Sequence, residues 1–271
     1  KDFLQEKIDF IKKTAGGKKV FVLASGGVDS TVALALFVRA LGGESIFALH
    51  VNHGFMRKNE SVEVKKALDK LGLKELHVVD ASERFFSALK GVVDPEEKRK
   101  IIGKLFVDVA NNETVKLKWG ASDWILGQGT IYPDVIESVS VHGPSVTIKS
   151  HHNVGGLPEH LPLELVEPLR SLFKDEVRQL GLALGLPEHV VWRQPFPGPG
   201  LAIRIVGEVT KQKLDILRDA DAIVREEIEK EGLARNFYQY FAILLNDKTV
   251  GVRGDQRAYA YPVVVKAVVS S

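Results

Sequence analysis

The chain has 271 residues, with 37 basic and 35 acidic side chains, a net charge of +2, no cysteine, and a hydrophobic fraction of 45%. This composition is typical of a globular protein with a core and excludes intrinsic disorder, and the lack of cysteine excludes disulfides, Cys-ligated zinc, iron–sulfur clusters and thiol nucleophiles. The balanced charge gives no reason to expect general binding of nucleic acids or membranes. The apolar runs are all well below the roughly 20 residues of a membrane span.

The first part of the chain alternates between helical and strand patterns. Helical spacing of apolar residues occurs at 1–13, 31–41, 61–71 and 98–110, and short apolar runs typical of buried strands occur at 20–24, 45–51, 76–79 and 124–126. Strands that alternate with helices predict a parallel sheet with helices on both faces. We therefore expect an α/β, doubly wound sheet, which binds ligands beyond the carboxyl ends of its strands.

The composition changes at the proline- and glycine-rich segment 194–200, which cannot form a helix. After it, 211–231 predicts one long helix with Leu214, Leu217 and either Ala220 or Asp221 on one face, and 241–245 and 261–269 predict strands. We expect domains at 1–195 and 196–271, the second being α+β. The first residues lack an initiator Met and a signal-peptide pattern, and the second domain ends without a cap, so we expect a longer parent protein.

A glycine-rich loop, Ser25-Gly26-Gly27-Val28-Asp29-Ser30, joins the first predicted strand to the second predicted helix. Adjacent glycines let successive N–H groups converge on an anion at the positive end of a helix. Ser25 and Ser30 supply hydroxyl donors, and Asp29 is suited to hold a Mg²⁺ ion that bridges phosphates. The alternative is a plain strand-to-helix turn in which the Ser and Asp side chains only cap the helix.

The loop resembles the SGG-x-DS motif of the ATP-pyrophosphatase superfamily, which holds the pyrophosphate of ATP while the α-phosphorus is attacked. Four later segments are similar to the GMP synthetase family, in the same order: DPEEKRKIIG at 94–103, QGTIYPDVIES at 128–138, KSHHNVGG at 149–156 and PFPGPG at 195–200. The resemblance covers about 3–269 and implies an adenine nucleotide α-hydrolase-like sheet followed by a smaller dimerisation domain.

The resemblance also implies a reaction. ATP adenylates the C2 oxygen of xanthosine 5′-monophosphate (XMP) and releases pyrophosphate, and ammonia then displaces AMP to give GMP. Adenylation is needed because the C2 oxygen leaves far more readily as an AMP ester. Catalysis then depends on neutralising the charge of the departing pyrophosphate and on aligning the two nucleotides. The implied cofactors are ATP and Mg²⁺, and the implied location is the cytoplasm.

Two nucleotide contacts follow from the family pattern. Val51 is the expected adenine contact and Phe106 a second apolar wall, although Asn52 and His53 depart from the family's VDNG or VNTG pattern and a purely structural loop is the alternative. Arg99 is the candidate for XMP, because a guanidinium suits bidentate recognition of anions or carbonyls. The alternative for its segment is a solvated helix face of paired charges.

Gln128, Gly129 and Thr130 follow the fourth predicted strand. They are expected at the same sheet edge as the glycine-rich loop. Gly129 allows a close backbone approach, and Gln128 and Thr130 can hydrogen-bond a nucleotide. Asp134 either faces the Mg²⁺ and XMP or is an ordinary acid at a helix start.

Segment 138–156 has Ser- and Gly-rich ends and predicts a mobile lid. Within it, Lys149 could bind a phosphate of the nucleotides, and His151 and His152 could position the intermediate or handle the proton of ammonia. Adjacent histidines rarely bind one metal ion, and no third ligand is nearby in sequence. Lys174 matches a superfamily lysine near the ATP phosphates and is expected at a helix start capped by Ser171, with ordinary first-turn charges as the alternative.

The family resemblance implies two partners. A glutamine amidotransferase domain or subunit supplies ammonia, and its nucleophilic Cys cannot be in this cysteine-free chain. A second copy of the chain is expected to pair through the strands near 238–245 and 261–269. The family's KPPATIEWE-like stretch finds no match, which we interpret as truncation.

Two other functions stay open. A tRNA-modifying ATP pyrophosphatase predicts a concentrated basic surface, which the balanced charge disfavours. A non-catalytic nucleotide-binding regulator predicts ATP binding without XMP-dependent release of pyrophosphate.

Overall fold

The computed structural model describes residues 2–74, 76–116, 121–138 and 163–269. Its α-helices are α1 Asp2–Ala15, α2 Val28–Leu41, α3 Glu60–Lys70, α4 Ser82–Ala88, α5 Pro95–Lys116, α6 Tyr132–Ser138, α7 Lys174–Ala183, α8 Glu188–Val191 and α9 Lys211–Lys230. Its strands are β1 Lys19–Leu23, β2 Ile46–Asn52, β3 Leu76–Asp80, β4 Trp124–Gly127, β5 Glu164–Val166, β6 Gln239–Leu244, β7 Thr249–Arg253, β8 Gln256–Ala260 and β9 Val263–Val268. Among the helices described here, none combines the length and the apolar character that a membrane span requires.

Five strands form one sheet in the order β3-β2-β1-β4-β5. β1 pairs in parallel with both β2 and β4, and β4 pairs in parallel with β5. Strands are added on one side of β1 as far as β3, and the chain then crosses to β4 on the other side. This reversal opens a crevice at the carboxyl ends of β1 and β4, where sheets of this type bind ligands. The predicted α/β fold is confirmed.

The central strand β1 is buried on both faces, as its continuous apolar run predicts. Val20 and Val22 pack in the hydrophobic core together with residues of α1, α2 and α7. Phe21, on the opposite face of the strand, lies with its ring centroid 6.1 Å from that of Phe47 on β2. Burial of this strand fixes the position of the residues that follow it, which begin the glycine-rich loop.

The start of α2 and the N-cap of α7 differ from the predictions. α2 begins at Val28 instead of 31, because Gly27 takes the extended φ of −70° and ψ of 161° of an N-cap residue. The prediction that Ser171 caps α7 is wrong, since the N-cap is Phe173, whose N–H donates to the Glu176 carboxylate at 2.7 Å. Lys174 is therefore the first residue of α7.

The chain forms two compact units, here called the first and the second unit. The first unit comprises 1–51, 61–79 and 106–193, and the second comprises 52–60, 80–105 and 194–271. The predicted domains at 1–195 and 196–271 are contiguous in sequence, whereas two short internal segments group with the C-terminal residues here.

In the second unit, β6 pairs antiparallel with β9, and β7 forms an antiparallel hairpin with β8. α9 buries Leu214, Leu217 and Asp221, so it is the aspartate rather than Ala220 that lies on the buried face. The α+β pattern predicted for the C-terminal region is confirmed. The hairpin was not predicted, and most of its described side chains are exposed.

Candidate functional site

The glycine-rich loop 25–30 turns sharply between β1 and α2. Gly26 has a φ of +78°, and a Cβ atom there would lie 2.8 Å from the Cγ2 atom of Val64. Both the backbone angle and the close packing therefore favour glycine at this position. Gly27, the N-cap residue of α2, is exposed. Because it has no side chain, its backbone is accessible to solvent.

Side chains of the loop bind one another and leave the start of α2 open. The hydroxyl oxygens of Ser25 and Ser30 are 2.9 Å apart, the Ser30 hydroxyl donates to the Gly27 carbonyl at 3.1 Å, and the Gly27 N–H donates to the Ser25 hydroxyl at 3.3 Å. Side-chain capping of α2 is absent among the described residues. The N–H groups of a first helical turn have no intrahelical acceptor. The alternative of a turn whose Ser and Asp side chains only cap the helix therefore lacks its expected hydrogen bond.

An ion pair joins the loop to α7. The Lys174 ammonium donates to both carboxylate oxygens of Asp29, at 2.8 and 2.7 Å. Their side chains are 36% and 27% exposed, so the pair stabilises the fold by only about 0–1 kcal/mol. Two residues predicted separately for the nucleotide thus meet at one place, and each can exchange its partner for a ligand at little cost.

The segment after β4 approaches the loop closely. A Cβ atom on Gly129 would lie 2.8 Å from the backbone oxygen of Asp29, so only glycine fits. The Thr130 hydroxyl donates to the Glu167 carboxylate. The Gln128 N–H donates to the Val166 carbonyl at 3.0 Å, while its buried Oε1 atom accepts no hydrogen bond from the described residues. That oxygen is an unused acceptor beside the crevice.

Three other predicted residues have a simple local environment. Val51 is buried at the end of β2, and Phe106 is half-buried on α5. The carboxylate of Asp134 accepts the Ile131 N–H at 3.2 Å, which is the helix-start role given as its alternative. Asn52 and His53 accept the N–H groups of Gly54 and Phe55 at 3.0 Å each, so they shape a turn.

Arg99 belongs to the second unit, and the loop belongs to the first. The Arg99 guanidinium donates to Glu96 at 2.8 and 2.6 Å, and these hydrogen bonds raise its pKa. The neighbouring Lys98 is 1% exposed and donates to the carbonyls of Ala202 and Ile205 at 3.4 and 2.8 Å. Lys98 therefore stabilises the second unit internally. Lys149, His151 and His152 lie outside the described residues.

Sequence reasoning missed two side chains that contact the loop. The Nδ1 atom of His50 lies 2.7 Å from the Ala24 carbonyl oxygen, and the Arg193 guanidinium donates to the Gly26 carbonyl. Burial lowers the pKa of His50, the hydrogen bond to Ala24 opposes this, and the charge of Arg193 adds to the lowering. His50 could have been singled out from the sequence, because it is a polar residue within an apolar strand. No sequence pattern marks Arg193.

One side chain of the loop has the chemistry that Mg²⁺ binding requires. Groups of three or more His, Asp or Glu side chains suited to a metal are absent from the part of the chain that the structure describes. Mg²⁺ usually binds one or two carboxylates together with substrate phosphates, rather than a cage made only of protein. Asp29, at the start of α2, is such a carboxylate.

Comparison with known proteins connects this geometry to a family. A family model described as NAD synthase matches residues 1–135, and one described as GMP synthase C terminal domain matches 226–271. The solved NH3-dependent NAD synthetase from Campylobacter jejuni has a TM-score of 0.52 and 17% identity, and covers 86% of each chain. NMN synthetase from Francisella tularensis has a TM-score of 0.54 and 16% identity, and covers 87% of this chain and 92% of its own. At such identities these structures support the fold alone.

Curated relatives are much closer in sequence. GMP synthase [glutamine-hydrolyzing] from Lactobacillus acidophilus is 54% identical over 270 residues, which is 99% of this chain and 51% of the relative. The Aquifex aeolicus protein of the same name is 54% identical over 269 residues, 99% of this chain and 52% of the relative. The chain thus spans about half the length of these relatives, and it belongs to the GMP synthase family.

Proposed function

We propose that this chain is the synthetase part of a GMP synthase. In this proposal ATP adenylates the C2 oxygen of XMP with release of pyrophosphate, and ammonia then displaces AMP to give GMP. Support comes from identities of 54% to proteins named GMP synthase and from the four motifs of that family in the sequence.

The observation that carries the proposal is the meeting of three features at the crevice between β1 and β4. The start of α2 has no side-chain cap, Lys174 reaches the loop through Asp29, and Gly129 brings the segment after β4 against the loop backbone. A helix N-terminus and an adjacent ammonium attract phosphate. Together they suit the charge that grows on a departing pyrophosphate.

Within this proposal, the loop residues Ser25, Gly26, Gly27, Val28 and Ser30 donate to the outer phosphates of ATP. Lys174 turns from Asp29 to a phosphate, which leaves the Asp29 carboxylate available to hold Mg²⁺. Bound Mg²⁺ would supply positive charge to the phosphates. Gln128, Gly129 and Thr130 lie along the nucleotide, and Val51 and Phe106 contact adenine.

The remaining roles concern XMP and the intermediate. Arg99, Asp134 and Lys149 are the proposed XMP contacts, because a cation can pair with phosphate and a carboxylate can accept from the purine. Lys149, His151 and His152 would close over the adenylated intermediate and exclude water, which would otherwise hydrolyse it.

The proposed partners follow from the chain's share of its relatives. A glutamine amidotransferase domain or subunit would supply ammonia, as the name of those relatives indicates. A second copy would cover exposed apolar side chains of the second unit: Val250, Val252, Tyr259, Val264 and Val265. These lie on the hairpin and β9, whereas β6 buries Tyr240, Ala242 and Leu244. The proposed location is the cytoplasm.

The decisive experiment measures pyrophosphate release by the full-length parent protein with ATP, Mg²⁺ and ammonia. XMP is compared with IMP, AMP and unmodified tRNA as acceptors. We expect release with XMP only, together with formation of GMP. Release with tRNA would favour a tRNA-modifying enzyme, and ATP binding without any release would favour a regulator.

Two variants test the place of Asp29. Asp29→Asn should lower XMP-dependent release by about 100-fold, because the carboxylate proposed to hold Mg²⁺ beside the reacting phosphates is lost. Asp69→Asn, an exposed carboxylate on α3 of the same unit, is the matched control. Equal rates in both variants would remove Asp29 from the mechanism.

A further inference from the structure

Two side chains of the first unit hold carbonyl groups at the entry to the glycine-rich loop. His50, at the end of β2, is 2% exposed and lies with Nδ1 2.7 Å from the Ala24 oxygen. The half-buried Arg193 donates from Nη1 to the Gly26 oxygen. Ala24 and Gly26 flank Ser25, so both contacts fall at the entry to the loop.

We propose that His50 and Arg193 are positioning residues that orient the N–H groups of Ser25 and Gly27 for a pyrophosphate-like anion. This inference rests on the proposed function, in which the loop binds the outer phosphates of ATP. Neither residue touches the reacting atoms in this scheme. Both act through backbone carbonyls.

The geometry of the peptide unit links each of these carbonyl groups to the N–H group of the next residue. Cis peptide bonds are absent from the described residues, and in a trans unit the C=O and the following N–H point in opposite directions. A donor that holds the Ala24 oxygen therefore turns the Ser25 N–H to the other side. A donor that holds the Gly26 oxygen does the same for the Gly27 N–H.

The two glycines of the loop need such restraint. The Ala24 N–H still donates to Leu49 at 2.8 Å, as in the sheet, but Gly26 and Gly27 lie beyond the β1 ladder. Glycines have the widest choice of backbone angles, and Gly26 uses a positive φ of +78°. The Gly27 N–H donates to the Ser25 hydroxyl at 3.3 Å, and an anion would take the place of this hydroxyl. Without a donor on the Gly26 carbonyl, part of the free energy of anion binding would be spent on ordering this peptide unit.

The protonation of His50 and the charge of Arg193 both suit this role. A carbonyl oxygen can only accept, so the Nδ1 atom of His50 carries the hydrogen, and Nε2 is left to accept from the Ser61 hydroxyl at 3.4 Å. Burial favours this neutral form of the ring. Arg193 adds a fixed positive charge behind the loop, which strengthens attraction of an anion at the start of α2.

The test uses the full-length parent protein and inorganic pyrophosphate as the probe, with affinity measured by isothermal titration calorimetry. His50→Leu and Arg193→Met remove the donors. His50→Asn keeps an N–H donor near the Nδ1 position, and Arg193→Lys keeps a charged donor. Arg39→Met, at the far end of α2 about 15 Å along the helix axis from Asp29, loses the same charge and is the control.

We expect the Kd for pyrophosphate to rise about tenfold in His50→Leu and Arg193→Met, and to change less than about threefold in His50→Asn, Arg193→Lys and Arg39→Met. KM for ATP should rise in parallel with Kd. A purely structural role predicts instead a fall in thermal stability with Kd unchanged in the folded fraction.

Several outcomes would overturn the inference. One is an unchanged Kd in folded Arg193→Met, and another is an equal loss of affinity in His50→Asn and His50→Leu, because shape and not donation would then matter. If His50→Leu does not fold, the comparison of Arg193→Met with Arg193→Lys decides. Wild-type protein that binds neither pyrophosphate nor ATP would refute the proposed function instead.

Discussion

At the scale of single residues, the ion pair between Lys174 and Asp29 explains how two partly exposed charges can be ready for a ligand. Each already has a partner of opposite sign at 2.7–2.8 Å. Because the pair is partly solvated, its loss costs the fold little. Once phosphates replace the water around these two side chains, their electrostatic interactions with the ligand would be stronger than in bulk water.

Lys174→Met should therefore separate stability from activity. We expect kcat/KM for ATP in XMP-dependent pyrophosphate release to fall about 100-fold, with a change in unfolding free energy of no more than about 1 kcal/mol. Lys12→Met, on the exposed face of α1, serves as the control of equal charge. A Lys174→Met enzyme as active as this control would contradict the proposed role.

His50 gives a pH dependence with a definite sign. Burial lowers its folded-state pKa below the value of 6.5 for an unfolded His. Between these two values only the unfolded chain binds the proton, so the free energy of unfolding decreases as the pH drops through that window and levels off below it. Above the unfolded pKa the contribution is complete.

His50→Asn cannot titrate and should lose this component. We expect the stability difference between wild type and His50→Asn, measured by urea unfolding, to shift against the wild type as the pH is lowered below 6.5. A difference that is the same at neutral and at acidic pH would mean that His50 titrates alike in both states.

At the scale of elements, the close approach of the segment after β4 to the glycine-rich loop depends on a missing side chain. A Cβ atom on Gly129 would lie 2.8 Å from the oxygen and 2.9 Å from the carbonyl carbon of Asp29. Backbone atoms at the start of a helix cannot move aside as the end of a flexible side chain can. The loop and the segment must therefore separate if Gly129 changes.

Gly129→Ala should lower the free energy of unfolding by about 1–3 kcal/mol and weaken pyrophosphate binding. Gly103→Ala is the matched substitution, because no heavy atom lies within 4 Å of its added Cβ and Ala is favoured by about 1 kcal/mol inside a helix. Chemical unfolding and calorimetry measure the two effects. Similar stability of the two variants would show that the loop tolerates the shift.

Within the second unit, one carboxylate balances three guanidinium groups. Asp221 is fully buried and lies 3.4 Å from Arg57, 3.3 Å from Arg204 and 3.2 Å from Arg225. Burial is the main reason that the pKa values of Arg57 and Arg204 fall to about 10. Removing the carboxylate would leave buried positive charges without their counter-ion.

We expect Asp221→Asn to cost about 3–5 kcal/mol of unfolding free energy. Asp219→Asn, two residues away on α9, removes a carboxylate that is 63% exposed and pairs with Lys58, and should leave the free energy of unfolding nearly unchanged. Urea unfolding of both variants gives the comparison. A loss below about 1 kcal/mol in Asp221→Asn would mean that water reaches these arginines.

At the scale of the whole molecule, the exposed apolar hairpin and β9 bear on assembly. Val252 is 79% exposed, and several apolar neighbours on the hairpin and β9 are exposed as well. Large exposed apolar patches commonly mark protein interfaces. This supports the proposed homodimer and identifies the hairpin as the surface to alter.

Val252→Glu in the full-length protein should shift a dimer towards monomer, because a charge would be buried in an apolar interface. Light scattering after gel filtration measures the mass. Val62→Glu, which introduces the same charge at a 55% exposed position on α3, should leave the dimer intact. A monomeric wild type would exclude the homodimer, and a dimeric Val252→Glu would exclude the hairpin as its interface.

Much of the fold was predictable from local patterns. Short stretches of sequence are enough to show strand burial and helix periodicity. They were enough to predict β1, the glycine-rich loop after it and the long helix α9. The predicted start of α2 was three residues late because an N-cap Gly carries little signal. The three-residue β5 was not predicted, and two of its residues are exposed.

The sequence by itself determined the α/β class, the place of the loop and the family to which the motifs point. Only the tertiary structure decided that Lys174 meets Asp29 across 145 residues of chain, and that His50 and Arg193 hold the loop carbonyls. It also decided that 52–60 and 80–105 group with the C-terminal residues. The physical reason is that local patterns record which face is buried, whereas contacts between distant residues depend on the order of strands in the sheet and on the packing that follows from it.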